Sequence, residues 1–359
     1  MASTPCIQLP QDQYAHVGAP SEWWWHIGTL RSGDRVFGFE INATGRPDGG
    51  GGGGPSYGFA QIMLSDVANQ VHYQTTSAVS PLPDGWAQSD PAKPWSVAIA
   101  GDLLGKGEIS MQAAADNCYD MQVAAQFADQ ATGTIVRFDV RFVQSGPPLL
   151  VWGTGCNEVN PGGKTPLEQN NYYYSFTNLA ASGTVSIGGE TVAVEGTTWM
   201  DHEYGYFGTG QVNWVLQDMQ LDNGYSLSSF AVNAVPWKDV AYASKATILG
   251  PDGTSRFVDT VTTPRGDPRP SKGDKGVDYY LQMDVAIIDP PATLSVVSIL
   301  ADQEFPIPGS AIYEGAARVT GSFDGKLVTG TGWLEEKIKA ATLALPAEAE
   351  LTAAMPVPA

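Results

Sequence analysis

Apolar and polar residues alternate along many short segments of this chain. The alternation is clear at residues 36–41, 134–140 and 183–187, and a period of two is that of a strand with one buried face. Glycine, asparagine, aspartate and proline interrupt the alternating segments at intervals of roughly 8–12 residues. This spacing predicts an all-β protein, built as an antiparallel sandwich or barrel.

The pattern also predicts how the strands are divided into domains. Four motifs that favour tight turns predict hairpins: Gly188-Gly189, Asp222-Asn223-Gly224, Pro251-Asp252-Gly253 and Asp324-Gly325. The chain has 359 residues, enough for two domains of ordinary size, and both halves have the same texture. We therefore expect one β-domain at residues 10–178 and a second at 179–340. A glycine-rich loop is predicted at 46–55 and a tail at 341–359.

The charge balance narrows the range of partners. Lysine and arginine number 19 against 38 aspartates and glutamates, so the formal net charge is −19. Such a charge disfavours nucleic acid and anionic membrane surfaces, and it promotes solubility. No segment reaches the ~20 apolar residues of a membrane span, and the N-terminus lacks a basic start followed by an apolar stretch. We expect a cytoplasmic protein without an integral membrane segment.

Motifs for the common cofactors are missing from the sequence. Cys6, Cys118 and Cys156 have no CxxC spacing, so they predict neither a zinc site nor a disulfide framework. The chain also has no phosphate-binding loop, dinucleotide fingerprint or nucleophile elbow. The sequence therefore predicts no cofactor and no metal, and it disfavours an esterase-type hydrolase.

The first candidate site is the segment 21–26, which reads Ser-Glu-Trp-Trp-Trp-His. On a strand, Glu22, Trp24 and His26 share one face. Burial among tryptophans would raise the pKa of Glu22 above its usual range of about 3.9–4.3, and a protonated carboxyl can donate a proton near neutral pH. The alternative is a structural glutamate that accepts a hydrogen bond from an indole N–H.

The second candidate site is the segment 199–205, which reads Trp-Met-Asp-His-Glu-Tyr-Gly. Trp199 and Asp201 share a strand face, while His202 points away. Asp201 is a candidate general acid or base, with His202 in support. Two alternatives stay open: a strand-end cap, and a metal site, for which Asp201 and Glu203 alone form a poor ligand set.

Two further segments pair a tryptophan with an acid or an amide and are candidates for contact with substrate. Trp214 and Gln217 lie on opposite faces of one predicted strand, and Trp333 and Glu335 share a face of another. Packing of these tryptophans in a core is the alternative.

Seven segments of the sequence together resemble a known superfamily, the lipocalin-like AttH and carotenoid 1,2-hydratase proteins. The matching segments keep their order from about residue 20 to residue 337, nearly the whole chain. They are residues 22–30, 57–66, 172–175, 183–185, 196–205, 313–321 and 332–335.

The resemblance implies two lipocalin-like antiparallel β-domains side by side, with a ligand pocket at or near their junction. The superfamily includes hydratases of isoprenoid and prenylated phenolic compounds and fungal Diels–Alderases that close decalin rings, and neither chemistry needs a cofactor. Glu22 and Asp201 are expected to face the pocket, and the Tyr173 hydroxyl would be a donor to a substrate carbonyl. The expected walls of the pocket are Trp24, Trp199, Trp214 and Trp333. Trp25-His26 and Tyr204 depart from the commoner pattern, so the substrate is not carried over.

Two functions are consistent with these residues. The first is a cofactor-independent enzyme that cyclises (including by Diels–Alder closure), isomerises or hydrates a hydrophobic isoprenoid or polyketide. The second is a non-catalytic lipocalin-type carrier of a hydrophobic ligand. The buried acids favour the enzyme, because a carrier has little reason to hold an unpaired carboxyl away from water.

Overall fold

The computed structural model describes residues 4–47, 55–115, 117–207, 213–234, 236–307 and 310–338. These residues form strands almost throughout, so the predicted all-β class is confirmed. None of the helices in the described ranges has the length and apolar character that crossing a membrane requires.

The first compact unit comprises residues 1–209. It has short 3₁₀ helices at Gln11–Gln13 and Val151–Gly153 and a four-residue helix α1 at Pro166–Gln169. Its strands are β1 Ser21–Ser32, β2 Arg35–Arg46, β3 Tyr57–Asp66, β4 Val71–Val79, β5 Trp95–Gly101, β6 Lys106–Ala114, β7 Asn117–Ala128, β8 Ile135–Gln144, β9 Leu149–Leu150, β10 Cys156–Glu158, β11 Asn170–Ile187 and β12 Glu190–Gly205.

These twelve strands form one antiparallel, barrel-like sheet. Ten of them follow the order β4-β3-β2-β1-β12-β11-β8-β7-β6-β5, while β9 and β10 also pair with β11. A single bridge between Ala78 and Leu103 joins the two ends of the sheet, which is therefore nearly closed. Strand β1 lies in the middle of the sheet next to β12, so the two candidate segments are neighbours.

The second compact unit comprises residues 210–359. Its strands are β13 Trp214–Leu221, β14 Ser226–Val232, β15 Tyr242–Leu249, β16 Ser255–Arg265, β17 Arg269–Pro270, β18 Asp278–Tyr279, β19 Gln282–Ile287, β20 Ala292–Ser298, β21 Glu304–Ile307, β22 Ser310–Phe323 and β23 Lys326–Lys337. The main sheet has the order β20-β19-β16-β15-β14-β13-β23-β22-β21, and pairing of β20 with β22 closes it. Strands β17 and β18 form a separate small sheet.

The boundary between the units lies later than the sequence predicted. Residue 178, the expected boundary, falls inside β11, and β11 and β12 form one long hairpin of the first sheet. A pattern of alternation does not tell which sheet a hairpin joins, so the division at 209–210 was missed. Residues 48–54 of the predicted glycine loop and the whole predicted tail at 341–359 lie outside the described residues.

All four predicted turns connect consecutive antiparallel strands. Gly188-Gly189 joins β11 to β12, and both glycines have positive φ, +57° and +98°. That conformation matches the right-handed twist of the flanking strands and is cheap only for residues such as glycine. The residue types that favour tight turns therefore predicted these four hairpins correctly.

Each unit has its own apolar core on the inner face of its sheet. The first core includes Trp24, Tyr174, Met200 and Tyr204, and the second includes Val215, Met219 and Leu334. The inner face of the first sheet is thus the face that carries Trp24.

A disulfide joins Cys6 to Cys156, so the expectation that no disulfide forms was wrong. The two cysteines are 150 residues apart, and the fold brings their Cα atoms to 5.9 Å. Spacing along the chain carries no signal for such a pair.

Candidate functional site

The register between β1 and β12 decides which candidate residues meet. Trp24 lies opposite His202, and Trp25 lies opposite Asp201. Opposed residues of an antiparallel pair point to the same side, so His202 shares the inner face with Trp24 and Glu22. Asp201 lies on the other, outer face with Trp25. The expectation that Glu22 and Asp201 face one pocket is therefore wrong, because alternation within a strand does not reveal the register between strands.

On the inner face, Glu22 joins two histidines in what we call the Glu22 cluster: His16, Glu22 and His202. Glu22 Oε1 lies 2.8 Å from His16 Nδ1 and 2.9 Å from His202 Nε2. Glu22 Oε2 accepts a hydrogen bond from the backbone N–H of His16 at 2.9 Å. Glu22 and His202 are buried, and the side chain of His16 is 17% exposed. Ligand atoms of the three residues all lie within 4.8 Å of one another.

Aromatic and amide groups hold the Glu22 cluster in place. The ring of Trp24 stacks on His202 with centroids 4.4 Å apart, and its indole N–H donates to the carbonyl of Gln13 at 3.1 Å. His202 Nδ1 lies 3.2 Å from the hydroxyl of Tyr174, and that hydroxyl donates to the Gln13 side chain. Trp24, expected to contact substrate, is fully buried here.

The histidines make Glu22 a carboxylate. Burial by itself would raise the pKa of Glu22, but the hydrogen bonds and charges of His16 and His202 outweigh burial and lower it. Burial opposes the charged form of His16, yet Asp12 and Glu22 raise the pKa of His16 to about 9. Burial lowers the pKa of His202. The prediction of a raised pKa at Glu22 was therefore wrong, because histidines surround the carboxyl and not only indoles.

His26, which the first candidate site places on the face of Glu22 and Trp24, lies inside the first core. It is fully buried, its ring stacks on Phe142 at 4.7 Å, and neither ring nitrogen has a hydrogen-bond partner among the described residues. Burial lowers the pKa of His26 to about 3. His26 is thus a neutral ring of the interior.

On the outer face, Asp201 has a different set of partners. Its Oδ1 accepts hydrogen bonds from Ser175 Oγ at 2.6 Å and from Trp199 Nε1 at 2.7 Å. The Tyr173 hydroxyl also bonds to this carboxyl. Asp201 and Ser175 are fully buried, yet Oδ2 of Asp201 has no partner among the described residues. We call Tyr173, Ser175, Trp199 and Asp201 the Asp201 site.

Burial raises the pKa of Asp201 to about 6, although three hydrogen bonds from neutral donors act in the opposite direction. The apolar surroundings are the cause: Trp25 and Trp199 are buried on the same face. The Trp25 indole N–H also lacks a partner among the described residues. Two unpaired polar atoms therefore lie on neighbouring buried residues of one face.

The residues of the second unit that were predicted to contact substrate also lie on two different faces of a sheet. Trp214 donates its indole N–H to Glu335, and Trp333 donates to Glu314 Oε2 at 2.8 Å. Register places these four side chains on one face, which is not the core face. Gln217 is buried on the opposite face, with the core residues Val215 and Met219. Trp214 and Gln217 therefore do not share a site.

Sequence reasoning missed three polar residues, of which Ser175 and Glu336 are buried and His16 is partly exposed. His16 lies before the first strand and carries no periodic signal, and Ser175 was read only as part of a tyrosine-rich motif. Glu336 is fully buried on the core face of β23, where burial raises its pKa well above the usual value. The sequence signal for Glu336 is an acid at a position where the strand alternation calls for an apolar residue. His16 has no such signal and is recognised only from its contacts in the fold.

Comparison with known proteins agrees with this architecture. The sequence matches the model of the family described as AttH-like over residues 1–336. No protein of curated function matches the chain in sequence.

Similar solved structures cover nearly the whole chain. A protein described as an AttH from Nitrosomonas europaea has 20% identity and a TM-score of 0.69, with 94% of this chain and 98% of that one covered. Kievitone hydratase from Nectria haematococca has 15% identity and a TM-score of 0.69, with 94% of each chain covered. CghA, solved with Sch210972, has 10% identity and a TM-score of 0.50, with 94% and 95% covered.

At these identities the structural similarities establish the fold, while the sequence match extends over almost the full length. The chain therefore belongs to the AttH-like family.

Proposed function

We propose that this protein is a cofactor-independent enzyme in which Asp201 is the general acid for a hydrophobic small molecule. One observation carries the proposal. Asp201 is a fully buried carboxyl with a raised pKa and an oxygen, Oδ2, that has no partner among the described residues. An unused buried polar atom costs stability and is expected where a ligand binds.

The hydrogen bonds at Asp201 support a specific position for its proton. Ser175 and Trp199 both donate to Oδ1, so the acidic proton belongs on Oδ2. A pKa of about 6 lies near the pH at which an acid both holds a proton and gives it up readily. The donors also stabilise the carboxylate that remains after transfer.

The surroundings support a substrate with carbon–carbon double bonds. Trp25, Trp199 and Tyr173 are buried aromatic side chains on the same face as Asp201. Aromatic faces stabilise cations, and an isoprenoid or polyene becomes a carbocation when an alkene carbon takes a proton.

The reaction then has a balanced course. The proton moves from Asp201 Oδ2 to an alkene carbon, which leaves a carbocation and the Asp201 carboxylate. Water adds to the cation in a hydration, an internal double bond adds in a cyclisation, and loss of a proton completes an isomerisation. In each case a proton returns to Asp201, so the enzyme is regenerated. The structural similarity to kievitone hydratase supports water addition as the first reaction to test.

Glu22 has properties that do not suit this acid role. Its pKa is lowered, both of its oxygens accept hydrogen bonds, and it lies on the opposite face of the sheet. The inner-face residues Trp24, His26 and His202 accordingly have no part in the proposed chemistry.

The test compares the parent protein with Asp201→Asn. Both are incubated with a panel of isoprenoid alkenes, prenylated phenols and linear polyenes, and products are identified by mass spectrometry in ¹⁸O-labelled water. The amide keeps the shape of Asp201 but lacks the acidic proton, so turnover should fall by about 10²–10⁴-fold. Binding, measured by quenching of tryptophan fluorescence, should change little.

Glu190→Gln, an acid-to-amide change at an exposed position of the same unit, is the control and should react at the parental rate. Equal turnover of the Asp201→Asn variant and the parent would exclude acid catalysis by Asp201. If the parent binds panel members without converting any of them, the protein is a carrier.

A further inference from the structure

We propose that His16, Glu22 and His202 bind one divalent transition-metal ion inside the first barrel. The inference uses the inner face of the sheet and does not depend on the proposed function, which uses the outer face. Two imidazoles and one carboxylate form a ligand set that suits zinc and related ions.

The spacing of the donor atoms fits such an ion. His16 Nδ1 and His202 Nε2 both point at one oxygen of Glu22, at 2.8 and 2.9 Å. In a tetrahedral site, ligand atoms about 2.0–2.2 Å from a shared ion lie about 3.3–3.6 Å apart. Each imidazole nitrogen would therefore have to move roughly 0.5 Å away from Oε1 to admit a metal ion. The second carboxylate oxygen is held by the backbone N–H of His16, which leaves Oε1 as the ligand atom.

Each ligating histidine also has a partner for its other nitrogen. His16 Nε2 lies 3.4 Å from a carboxylate oxygen of Asp12, and His202 Nδ1 lies 3.2 Å from the hydroxyl oxygen of Tyr174. Metal-bound histidines almost always donate their remaining N–H to a carboxylate, a carbonyl or a similar acceptor, which orients the ring. Both histidines therefore have the outer partners of a metal ligand.

The neighbouring side chains allow His202 to bind an ion through Nε2. The hydroxyl of Tyr174 donates to the side-chain oxygen of Gln13, whose amide nitrogen faces the sulfur of Met121. The oxygen of Tyr174 can therefore accept a hydrogen bond from Nδ1 of His202, which leaves the lone pair of Nε2 for a metal ion.

The three ligands come from separate parts of the chain. His16 lies in the segment before β1, Glu22 lies on β1 and His202 on β12. An ion that links them ties the N-terminal segment to the middle of the sheet, and metal-binding free energy then adds to folding free energy. Three protein ligands leave a fourth position for water.

The experiment uses the full-length, untagged protein, dialysed against chelator and then titrated with zinc or cobalt(II). We expect about one ion per chain by elemental analysis, and cobalt(II) should give the visible bands of a four-coordinate site. The melting temperature should rise as zinc is added. His16→Asn and Glu22→Gln should each lose stoichiometric binding, the cobalt bands and the rise in melting temperature.

His72→Asn is the matched control, because His72 belongs to the same unit, contacts Ser65 and lies outside the Glu22 cluster. It should bind one ion with the parental spectrum. His16 is near the surface, so His16→Asn should fold, and its far-ultraviolet spectrum checks this. Absence of stoichiometric metal in the parent, or equal binding by the parent and a folded His16→Asn variant, would overturn the proposal.

Discussion

Glu22 and Asp201 are two buried carboxyls on adjacent strands of one sheet, and they have opposite properties. Glu22 lies on the inner face with a lowered pKa, whereas Asp201 lies on the outer face with a pKa raised to about 6. Both have almost no contact with solvent. Burial therefore does not decide the charge of a carboxyl, and the chemistry of its partners does.

The partners of the two acids differ in charge. Glu22 accepts from two imidazoles, each able to carry a proton or to share a metal ion with it. Asp201 accepts from the hydroxyls of Ser175 and Tyr173 and from the indole of Trp199, and none of these donors carries a charge. A charged partner offsets the desolvation cost of a buried carboxylate, whereas neutral donors offset only part of that cost. Glu22 thus suits a structural role and Asp201 a proton-transfer role.

The largest expected effect is on stability and comes from Glu22→Gln. The change leaves the buried His202 and the partly buried His16 without their anion, and breaking a buried pair on one side costs about 3–5 kcal/mol. Urea unfolding in the presence of chelator, followed by tryptophan fluorescence, measures the loss. Glu190→Gln removes an exposed acid and should change the free energy of unfolding by less than about 1 kcal/mol. Similar unfolding curves for the two variants would contradict the contrast drawn here.

The next effect is the pH dependence of turnover. If protonated Asp201 is the acid, kcat should be level below pH 6 and fall about tenfold for each unit above it, or about 100-fold by pH 8. Ser175→Ala removes a donor that stabilises the carboxylate, so the pKa of Asp201 and the falling limb should move to higher pH. A rate that stays level to pH 8 would show that another group is the acid. A falling limb at the same pH in the parent and in Ser175→Ala would show the same.

The smallest effect is a gain in stability from Asp201→Asn. The folded protein binds the Asp201 proton more tightly than the unfolded chain does, because the pKa rises from 3.8 to about 6. The contribution of Asp201 to stability is therefore greatest below pH 3.8, falls as pH rises to about 6, and is lower by about 3 kcal/mol above that pH. The amide avoids this loss, so the variant should be more stable than the parent by about 1–3 kcal/mol at pH 8 and no more stable at pH 4. Thermal unfolding at both pH values provides the measurement, and a less stable variant at pH 8 would show that Asp201 serves the fold.

Local patterns in the sequence predicted the strands and the turns. Residues 134–140 alternate and lie in and just before β8, and Gly188-Gly189 turns the chain between β11 and β12. These features depend on side chains a few residues apart, because strand period and turn conformation are local properties. The same locality placed Asp201 and His202 on opposite faces of one strand.

Local patterns did not predict the contacts between residues that are distant in the sequence. The sequence by itself determined an all-β protein of the AttH-like family, with Glu22 and Asp201 as the acids of interest. Only the tertiary structure decided that β1 pairs with β12 so that Trp25, and not Trp24, lies beside Asp201. It also brought His16 to Glu22 and Cys6 to Cys156. The physical reason is that register and long-range pairing depend on the packing of the whole sheet, whereas alternation and turns depend only on neighbours in sequence.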